Sequence, residues 1–401
     1  MEETSIIIID KLRQLPPAKP KSYIFKVHHE LCAANKEVYE PVLVSIGPYY
    51  HYKRKSQLQY MEQHELRCLN DLLTRKEEQG VATRSDQIRK YLGVLEGLED
   101  KARGYYADPV DLKKNDFLEM LLLDGCFIIE LFRKADWSRN EEERETDPLF
   151  EADWVAASLG RDLTLLENQI PFIVLLELYS MIGDRPDPLD LIKMAVSYLP
   201  VPDTLPSGIL NREKLSDIKH ILDLVRKLML VEEILEMKDK SASTESTSGS
   251  VKKYILDLVR KFRLVKEILE RTDESATSVS IKKYKYSATE LRELGVRFKG
   301  VKKSKFYNIT FENGFLEIPV IQIEDGTEGL FRNLIAYEEH YVGENKYVGD
   351  YMSFMDGLVN KPKDVELLRH RGIIESFMGD DEVVAAMFNN MCKHRILSNY
   401  Y

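Results

Sequence analysis

The chain has 401 residues, of which 44% are hydrophobic and 31% charged, and its formal net charge is −10 at pH 7. This composition is that of a globular protein, not of a disordered or a membrane-embedded one. The excess of acidic residues argues against nucleic-acid binding, which needs a surplus of lysine and arginine. The four cysteines form no Cys-x-x-Cys pair, which favours a reducing compartment such as the cytoplasm over a disulfide-stabilised scaffold.

No apolar run approaches the roughly 20 residues that a membrane-spanning helix needs, so the chain as given is predicted to be soluble. Four histidines in the first part of the chain show no short ligand spacing, and no carboxylate completes a ligand set. They are His28, His29, His51 and His64. We therefore expect no metal site, and no motif indicates a cofactor.

The first predicted elements are an extended segment and two helices. The run 42–51, Val-Leu-Val-Ser-Ile-Gly-Pro-Tyr-Tyr-His, begins apolar and contains a Gly-Pro pair. That pattern predicts a buried extended segment closed by a turn. Apolar residues at helical spacing predict a helix over 58–73, and a second helix is expected over 86–103.

The stretch 116–132 is apolar on almost all sides, which is typical of a helix at the centre of a fold. Asp124 lies in its middle and is predicted to be a buried carboxylate that needs a partner. Candidate partners are Arg103, Arg133 and Arg161. Cys126 is expected to pack as a small apolar residue, because its neighbours offer neither a base nor exposure.

A polar cluster interrupts the apolar stretch 162–179. Glu167, Asn168 and Gln169 stand just before Pro171, which lacks a backbone donor and disfavours helix at the preceding residue. We therefore predict that one helix ends near Glu167 and another begins at Pro171. Either the three side chains satisfy free helix-end groups and fix the angle between two core helices, or Glu167 serves binding or catalysis.

Residues 183–216 are rich in Pro and Asp and predict an irregular connection. An internal repeat follows, in which Ile221–Lys227 returns residue for residue as Ile255–Lys261. Two copies are too few for a solenoid, which needs about three repeats. We interpret the repeat as a duplicated amphipathic helix in an insert that lies on the main body. The alternative is an exposed helix that offers its apolar stripe to a partner.

Basic residues outnumber acidic ones from 282 to 305. In an acidic protein such a patch is a candidate surface for anionic lipid or an acidic partner, although a solvated loop is the simpler interpretation. The residues singled out for this surface are Lys299, Lys302, Lys303 and Lys305.

One β-hairpin is predicted near the end of the chain. Its strands, 307–312 and 315–318, flank Asn313-Gly314, a two-residue sequence that suits a hairpin turn. Val320–Ile323 is expected to extend the second strand. The remaining predicted elements are helices over 327–341, 349–360, 363–371 and 380–395.

Six phrases of the sequence, in order, resemble the plant family named domain of unknown function 247. They are 44–51 (VSIGPYYH), 120–132 (MLLLDGCFIIELF), 162–171 (DLTLLENQIP), 287–296 (SATELRELGV), 331–338 (FRNLIAYE) and 351–360 (YMSFMDGLVN). The resemblance covers most of the chain and implies a largely helical land-plant protein with no established catalytic activity. It also implies a role in recognition or signalling, since some members are proposed as pollen-side determinants of grass self-incompatibility. Members usually end in a hydrophobic membrane anchor, which this chain as given does not show, so only the family analogy suggests a membrane.

The sequence thus predicts a mainly α protein with a large single helical body, one small β-hairpin and a helical insert that carries the tandem duplication. The two parts of the core are expected at 20–203 and 287–401, and the variable insert at 204–286. We expect a non-enzymatic recognition or signalling protein that binds a protein or peptide. The alternative is a hydrolase or transferase with a buried carboxylate site built from Asp124 and Glu167.

Overall fold

The computed structural model describes residues 2–13, 21–54, 58–78, 80, 82–136, 147–182, 186–200, 217–230, 286–302, 308–340 and 346–391. The helices of the described residues are α1 (Glu2–Arg13), α2 (His29–Ala34), α3 (His51–Arg54), α4 (Gln59–Glu78), α5 (Arg84–Gly104), α6 (Lys114–Ala135), α7 (Asp153–Asp162), α8 (Phe172–Ile182), α9 (Pro188–Tyr198), α10 (Ile221–Leu230), α11 (Ala288–Glu293), α12 (Thr327–Glu339), α13 (Tyr347–Leu358), α14 (Pro362–His370) and α15 (Asp381–Met391). The strands are β1 (Arg297–Val301), β2 (Thr310–Glu312), β3 (Phe315–Pro319), β4 (Ile321–Ile323) and β5 (Ile374–Ser376), and Glu37–Tyr39 forms a short 3-10 helix. The predicted mainly α class is confirmed.

Helix α6 is the centre of the first hydrophobic core. Its side chains are buried on nearly every face, including Phe117, Leu121 and Phe127. Helices α4, α5, α8 and α9 pack against it, and their buried residues join the same hydrophobic cluster. The helices predicted over 58–73, 86–103 and 116–132 are confirmed as α4, α5 and α6. An all-round apolar helix has no polar face to leave in water, which accounts for its central place.

Helix α9 departs from the sequence prediction, because it lies inside the stretch 183–216 that was expected to be irregular. The Asp187 carboxylate accepts a 3.0 Å hydrogen bond from the Leu189 backbone nitrogen and so caps the helix. Pro188 occupies the first turn, where a helix needs no backbone donor. Pro and Asp therefore mark a helix start here, and the apolar residues that follow are buried in the first core.

The C-terminal part of the chain forms a second hydrophobic core from α12 to α15 and two small sheets. In the three-stranded sheet, β3 is central, antiparallel to β2 and parallel to β1. The predicted hairpin is confirmed as β2 and β3. Asn313 and Gly314 join them with φ angles of 51° and 78°, the positive values that a two-residue hairpin turn needs.

Two strands correct the sequence prediction. Arg297–Val301, within the stretch interpreted as a basic loop, is β1, and its Phe298 is buried in the second core. Ile321–Ile323 does not extend β3 but forms β4, which pairs in parallel with β5. Both pairings join segments that are not neighbours in the chain, and a local residue pattern carries no information about such partners.

Helix α10 lies between the two cores. It buries Leu224 and Val225 in the first core and Leu222 in the second. The first copy of the repeat therefore does not project from the body, and residues 217–230 of the expected insert belong to the core. The second copy of the repeat lies outside the described residues.

Candidate functional site

The chain turns between α7 and α8 through residues 163–171, which contain the predicted polar cluster. Helix α7 ends at Asp162, earlier than the predicted end near Glu167. Helix α8 begins at Phe172, directly after Pro171, as the position of the proline predicts.

Two side-chain amides account for the early end of α7. The Asn168 Nδ2 donates to the backbone oxygen of Asp162 at 2.9 Å. The Gln169 Nε2 donates to the backbone oxygens of Leu163 and Leu165 at 2.8 and 2.7 Å. Asp162 is the last residue of α7, and Leu163 and Leu165 lie in the turn that follows, so the two amides satisfy carbonyls at the helix end and within the turn.

The Asp162 carboxylate, fully buried, binds three consecutive backbone amides. Its oxygens accept hydrogen bonds from the nitrogens of Val42, Leu43 and Val44 at 3.0, 2.7 and 3.0 Å. The Arg161 guanidinium donates to the same carboxylate at 2.8 Å. Burial raises the pKa of Asp162, while the amides and Arg161 favour its charged form and oppose that shift.

Sequence reasoning missed Asp162. It opens the same phrase, 162–171, that contains Glu167, but a lone acidic residue at a helix end is usually solvated, so its identity gave no reason to select it. The available signal was the apolar run that begins directly after it, 163–166, which places the helix end inside the core.

Asn168 holds the neighbouring part of the same extended segment. Its Oδ1 accepts a 2.7 Å hydrogen bond from the Ile46 backbone nitrogen, and its Nδ2 donates to the Val44 oxygen at 3.0 Å. The side chain thus pairs with the extended chain as a neighbouring strand would. The segment predicted to be buried and extended is held by side chains here and not by a sheet ladder.

Asp124 meets the end of this segment. Its Oδ2 accepts a 2.7 Å hydrogen bond from the backbone nitrogen of Gly47. Gly47 has φ of 76°, and a Cβ added there would lie 2.3 Å from the backbone oxygen of Gln169. The Tyr106 hydroxyl donates to that same oxygen at 3.1 Å. Only glycine therefore allows the chain to approach this closely.

The three arginines predicted as partners of Asp124 pair with other carboxylates. The pairs are Arg103–Glu99 at 2.9 Å, Arg133–Glu130 at 2.8 Å and Arg161–Asp162 at 2.8 Å. Backbone amides are better suited than a long cation to a carboxylate inside an apolar helix bundle, because they bring no charge of their own to bury.

Glu167 is the one half-buried member of the predicted cluster, whereas Asn168, Gln169 and Asp124 are buried. Its Oε1 accepts a 2.7 Å hydrogen bond from the Val27 backbone nitrogen, and the Tyr50 hydroxyl also bonds to it. Burial raises the pKa of the Glu167 carboxyl, and these two hydrogen bonds oppose the shift.

We call these five residues the polar junction, which consists of Asp124, Asp162, Glu167, Asn168 and Gln169. Its oxygens and amides bind backbone groups of residues 27 and 42–47 and of the helix end at α7. Chemically, this arrangement positions backbone. It holds one irregular N-terminal segment against the first core.

The polar junction also connects with the second core. The Asn333 Oδ1 of α12 accepts a 2.9 Å hydrogen bond from the Leu166 nitrogen, and its Nδ2 donates to the Val38 oxygen at 3.0 Å. The Gln169 Oε1 accepts a 3.3 Å hydrogen bond from the Leu222 nitrogen of α10. Asn333 was not predicted, because only the folded chain brings α12 beside the turn.

The predicted basic surface is partly neutralised where the structure describes it. Lys299 pairs with Glu317 at 2.7 Å, and Lys302 lies 3.5 Å from Glu375. Both acidic partners lie on strands that the sequence does not place beside the lysines. Lys303 and Lys305 lie outside the described residues.

Cys126 is fully buried in the first core, and burial raises the pKa of its thiol well above the ordinary value. Among the described residues, no group of three or more His, Cys, Asp or Glu is arranged to hold a metal ion. No helix in the described part of the chain has the length and apolar character to cross a bilayer.

The fold and the polar junction define a mainly α protein in which buried carboxylates and amides hold an irregular segment against the first core. The chain belongs to the plant family DUF247, described as plant protein of unknown function, which matches residues 24–401. The resemblance drawn from the six sequence phrases is thereby confirmed.

Two relatives from Arabidopsis thaliana illustrate the family. The chain is 31% identical over 388 residues to UPF0481 protein At3g47200, covering 94% of this chain and 73% of the relative. It is 24% identical over 432 residues to Putative UPF0481 protein At3g02645, covering 92% of this chain and 78% of the relative. No solved structure matches the chain significantly.

Proposed function

We propose that the protein is a non-enzymatic plant recognition or signalling protein that binds a protein partner through a helical surface. The observation that carries this proposal is the exposure of α1. Four consecutive isoleucines, Ile6 to Ile9, are 44–60% exposed, and Leu12 is 60% exposed. Apolar side chains concentrated in this way are typical of a surface that a partner covers.

A groove on a protein suits α1 better than an anionic membrane or a nucleic acid does. The net charge of −10 opposes general binding to anionic lipid and to nucleic acid. A helix laid into an apolar groove needs no such attraction, because burial of its side chains drives the binding. The family resemblance also implies membrane association and a role in self-incompatibility. Like the protein partner, both are proposals.

The size of this surface sets an expectation for affinity. Burying five half-exposed aliphatic side chains contributes about 1 kcal/mol each, or about 5 kcal/mol in total. The loss of translational and rotational freedom on association offsets a free energy of this size, so α1 by itself is not expected to give stable binding. The partner is therefore expected to add polar contacts around α1 if it binds in the micromolar range.

The polar junction supports an architectural use of the buried polar residues. The polar atoms of Asp162 and Asn168 form hydrogen bonds with backbone groups of residues 42–46 and of α7. Side chains bonded in this way stabilise the fold. We therefore assign partner binding to the surface of the protein. We place the protein in the cytoplasm, since the free thiols of Cys32, Cys68 and Cys126 suit a reducing compartment.

The experiment is an affinity purification from plant tissue with three baits. The baits are the wild type, the double variant Ile7→Ser/Ile8→Ser, and the control Phe377→Ser, whose phenylalanine is 71% exposed elsewhere on the surface. A protein retained by the wild type and the control but lost with the double variant supports the proposal, and it is then titrated against the same three proteins. An identical set of proteins on all three baits refutes a role for α1.

The second candidate is the hydrolase or transferase with a carboxylate site built from Asp124 and Glu167. Asp124 is fully buried and accepts a hydrogen bond from the Gly47 nitrogen, so the acid of such a site would be Glu167, and one observation favours that role. Glu167 is half-buried, beside a tyrosine hydroxyl, and has a raised pKa, as a general acid often does. Glu167→Gln keeps the hydrogen bond from Val27 and removes the acid. A turnover found with any ester or glycoside substrate and abolished in this variant, but not in Glu177→Gln, would establish the enzyme.

A further inference from the structure

We propose that the groove that holds α10 has a second occupant within the same chain, the repeated segment 255–264. The two copies would exchange in one site, so that the protein has two states that differ in which copy is docked. The inference depends on the contacts of α10 and on the sequence of the second copy, and it is independent of the proposed function.

The groove recognises α10 through polar contacts with defined partners. The Tyr337 hydroxyl donates to Asp223 at 2.9 Å, and Arg226 pairs with Glu338 at 2.8 Å. Lys227 pairs with Asp223 at 2.6 Å within the helix. Asp223, Arg226 and Glu338 are largely buried. A helix without this pattern of charges would leave the Glu338 carboxylate with the backbone amides of Val348 and Gly349 but without its ion pair.

The apolar contacts of α10 are equally specific in position. Ile221, Leu222, Leu224 and Val225 are each 0–2% exposed, and they reach both cores. A segment that replaced α10 would need a large aliphatic residue at each of these four positions, since a smaller one would leave a cavity.

The second copy meets every one of these requirements. Residues Ile255–Lys261 are identical to Ile221–Lys227 over seven consecutive positions, and Leu264 corresponds to Leu230. It therefore supplies an aspartate for Tyr337, an arginine for Glu338 and the same four aliphatic side chains. Two unrelated amphipathic helices share apolar and polar positions by chance, but their residues differ. Here the residues themselves are identical.

The positions that differ favour the first copy without excluding the second. Leu228 and Met229, which are half-buried against the cores, are replaced by Phe262 and Arg263. His220, which is fully buried, accepts a hydrogen bond from the Asp223 nitrogen at 3.2 Å, and the second copy has Tyr254 at this position. Ile218 is replaced by Lys252, whose aliphatic stem can lie along apolar surface while the ammonium reaches water. The first copy is thus the preferred occupant, and the second becomes the major one when the first is weakened.

The chain is long enough for exchange within one molecule. From Leu264 to Tyr286, where the described structure resumes, there are 22 residues, which span up to about 70 Å when extended. A globular chain of this length has a radius of gyration of about 21 Å, so the second copy can reach the groove from any direction.

The test uses aspartate at a buried apolar position of each copy in the full-length chain. Val225→Asp disrupts the first copy, Val259→Asp is the matched change in the second, and the double variant disrupts both. If the second copy replaces the first, Val225→Asp still unfolds in a cooperative transition. Its Tm then lies within about 5 °C of the Tm of the wild type. Val259→Asp then resembles the wild type, and the double variant melts far lower than either.

A milder series keeps the test decisive if Val225→Asp prevents folding. Arg226→Ala, Arg260→Ala and their double variant remove the ion pair to Glu338 from one or both copies. Exchange predicts that the double variant has a lower Tm than Arg226→Ala, whereas a groove used only by α10 predicts equal values. Equal Tm values for single and double variants in both series would overturn the proposal, as would a dimer appearing on size-exclusion chromatography of Val225→Asp.

Discussion

The carboxylate of Asp162 accepts a 2.7 Å hydrogen bond from the backbone nitrogen of Leu43, 119 positions earlier in the chain. The same carboxylate binds the amides on either side, so one side chain holds three consecutive residues of an extended segment. Buried backbone donors need acceptors, and in this region a side chain provides them where a neighbouring strand usually would. The stability of the N-terminal segment therefore depends on a few polar atoms.

Replacing Asp162 with asparagine is expected to lower the free energy of unfolding by about 3–5 kcal/mol. Asparagine keeps the shape, but it has one acceptor oxygen, and its amide group would face backbone donors. Urea denaturation followed by circular dichroism measures the change. The control is Asp153→Asn in the exposed first turn of α7, where only a helix-end charge is lost, and less than about 1 kcal/mol is expected. Equal losses for both variants would contradict a special role for Asp162.

The close approach of Gly47 to Gln169 predicts a large effect of a single methyl group. Gly47→Ala places a Cβ 2.3 Å from a backbone oxygen at a φ of 76°, and we expect a destabilisation of about 3 kcal/mol. Gly97→Ala is the control, because Gly97 lies in α5 and an added Cβ there meets nothing within 4 Å. That change should stabilise the protein by about 0.5–1 kcal/mol, since alanine favours helix. Thermal unfolding of both variants measures these changes in stability. A Gly47→Ala variant as stable as the wild type would disprove the clash.

His220 makes stability depend on pH in a defined direction. Burial lowers the pKa of His220 from 6.5 to about 4 in the folded protein. Between these values the unfolded chain binds a proton that the folded chain does not, so stability is lost as pH falls from about 6.5 towards 4. The full effect is about 3 kcal/mol.

The measurement is the free energy of unfolding at several pH values from 7 to 4 for wild type and His220→Asn. Asparagine keeps an acceptor for the Asp223 nitrogen but does not titrate, so its curve should fall less steeply. His370→Asn, at an exposed position near the end of α14, is the control for removing an imidazole from the protein surface. Parallel curves for wild type and His220→Asn would rule out His220 as the cause.

Asn333 is expected to couple the two cores. Asn333→Ala leaves the Leu166 nitrogen and the Val38 oxygen without this partner, and we expect a loss of about 2–3 kcal/mol. Asn389→Ala, at a half-buried position of α15, should lose less than about 1 kcal/mol. Hydrogen exchange adds a second readout, since faster exchange at Leu166 in Asn333→Ala alone would locate the effect. Unchanged protection there would contradict the coupling.

Local patterns in the sequence were sufficient for the regular elements. The all-round apolar stretch 116–132 predicts a central helix, and Asn313-Gly314 predicts the hairpin turn, because both depend on neighbouring residues. The same reasoning selected Glu167, Asn168 and Gln169, since polar residues within an apolar run need partners wherever the chain goes. Short local phrases of the sequence were also sufficient to recognise the family.

The tertiary structure alone decided which partners those residues find. Asp162 binds residues 42–44, Asp124 binds Gly47, and β1 and β4 pair with distant strands. It also placed α10 between two cores, where the sequence predicted an insert. The physical reason is that propensity and periodicity are properties of neighbours in the chain, whereas a buried polar group is satisfied by whatever donor packing brings within 3 Å. The sequence determined that these polar groups must be satisfied, and only the packing of the two cores determined by which residues.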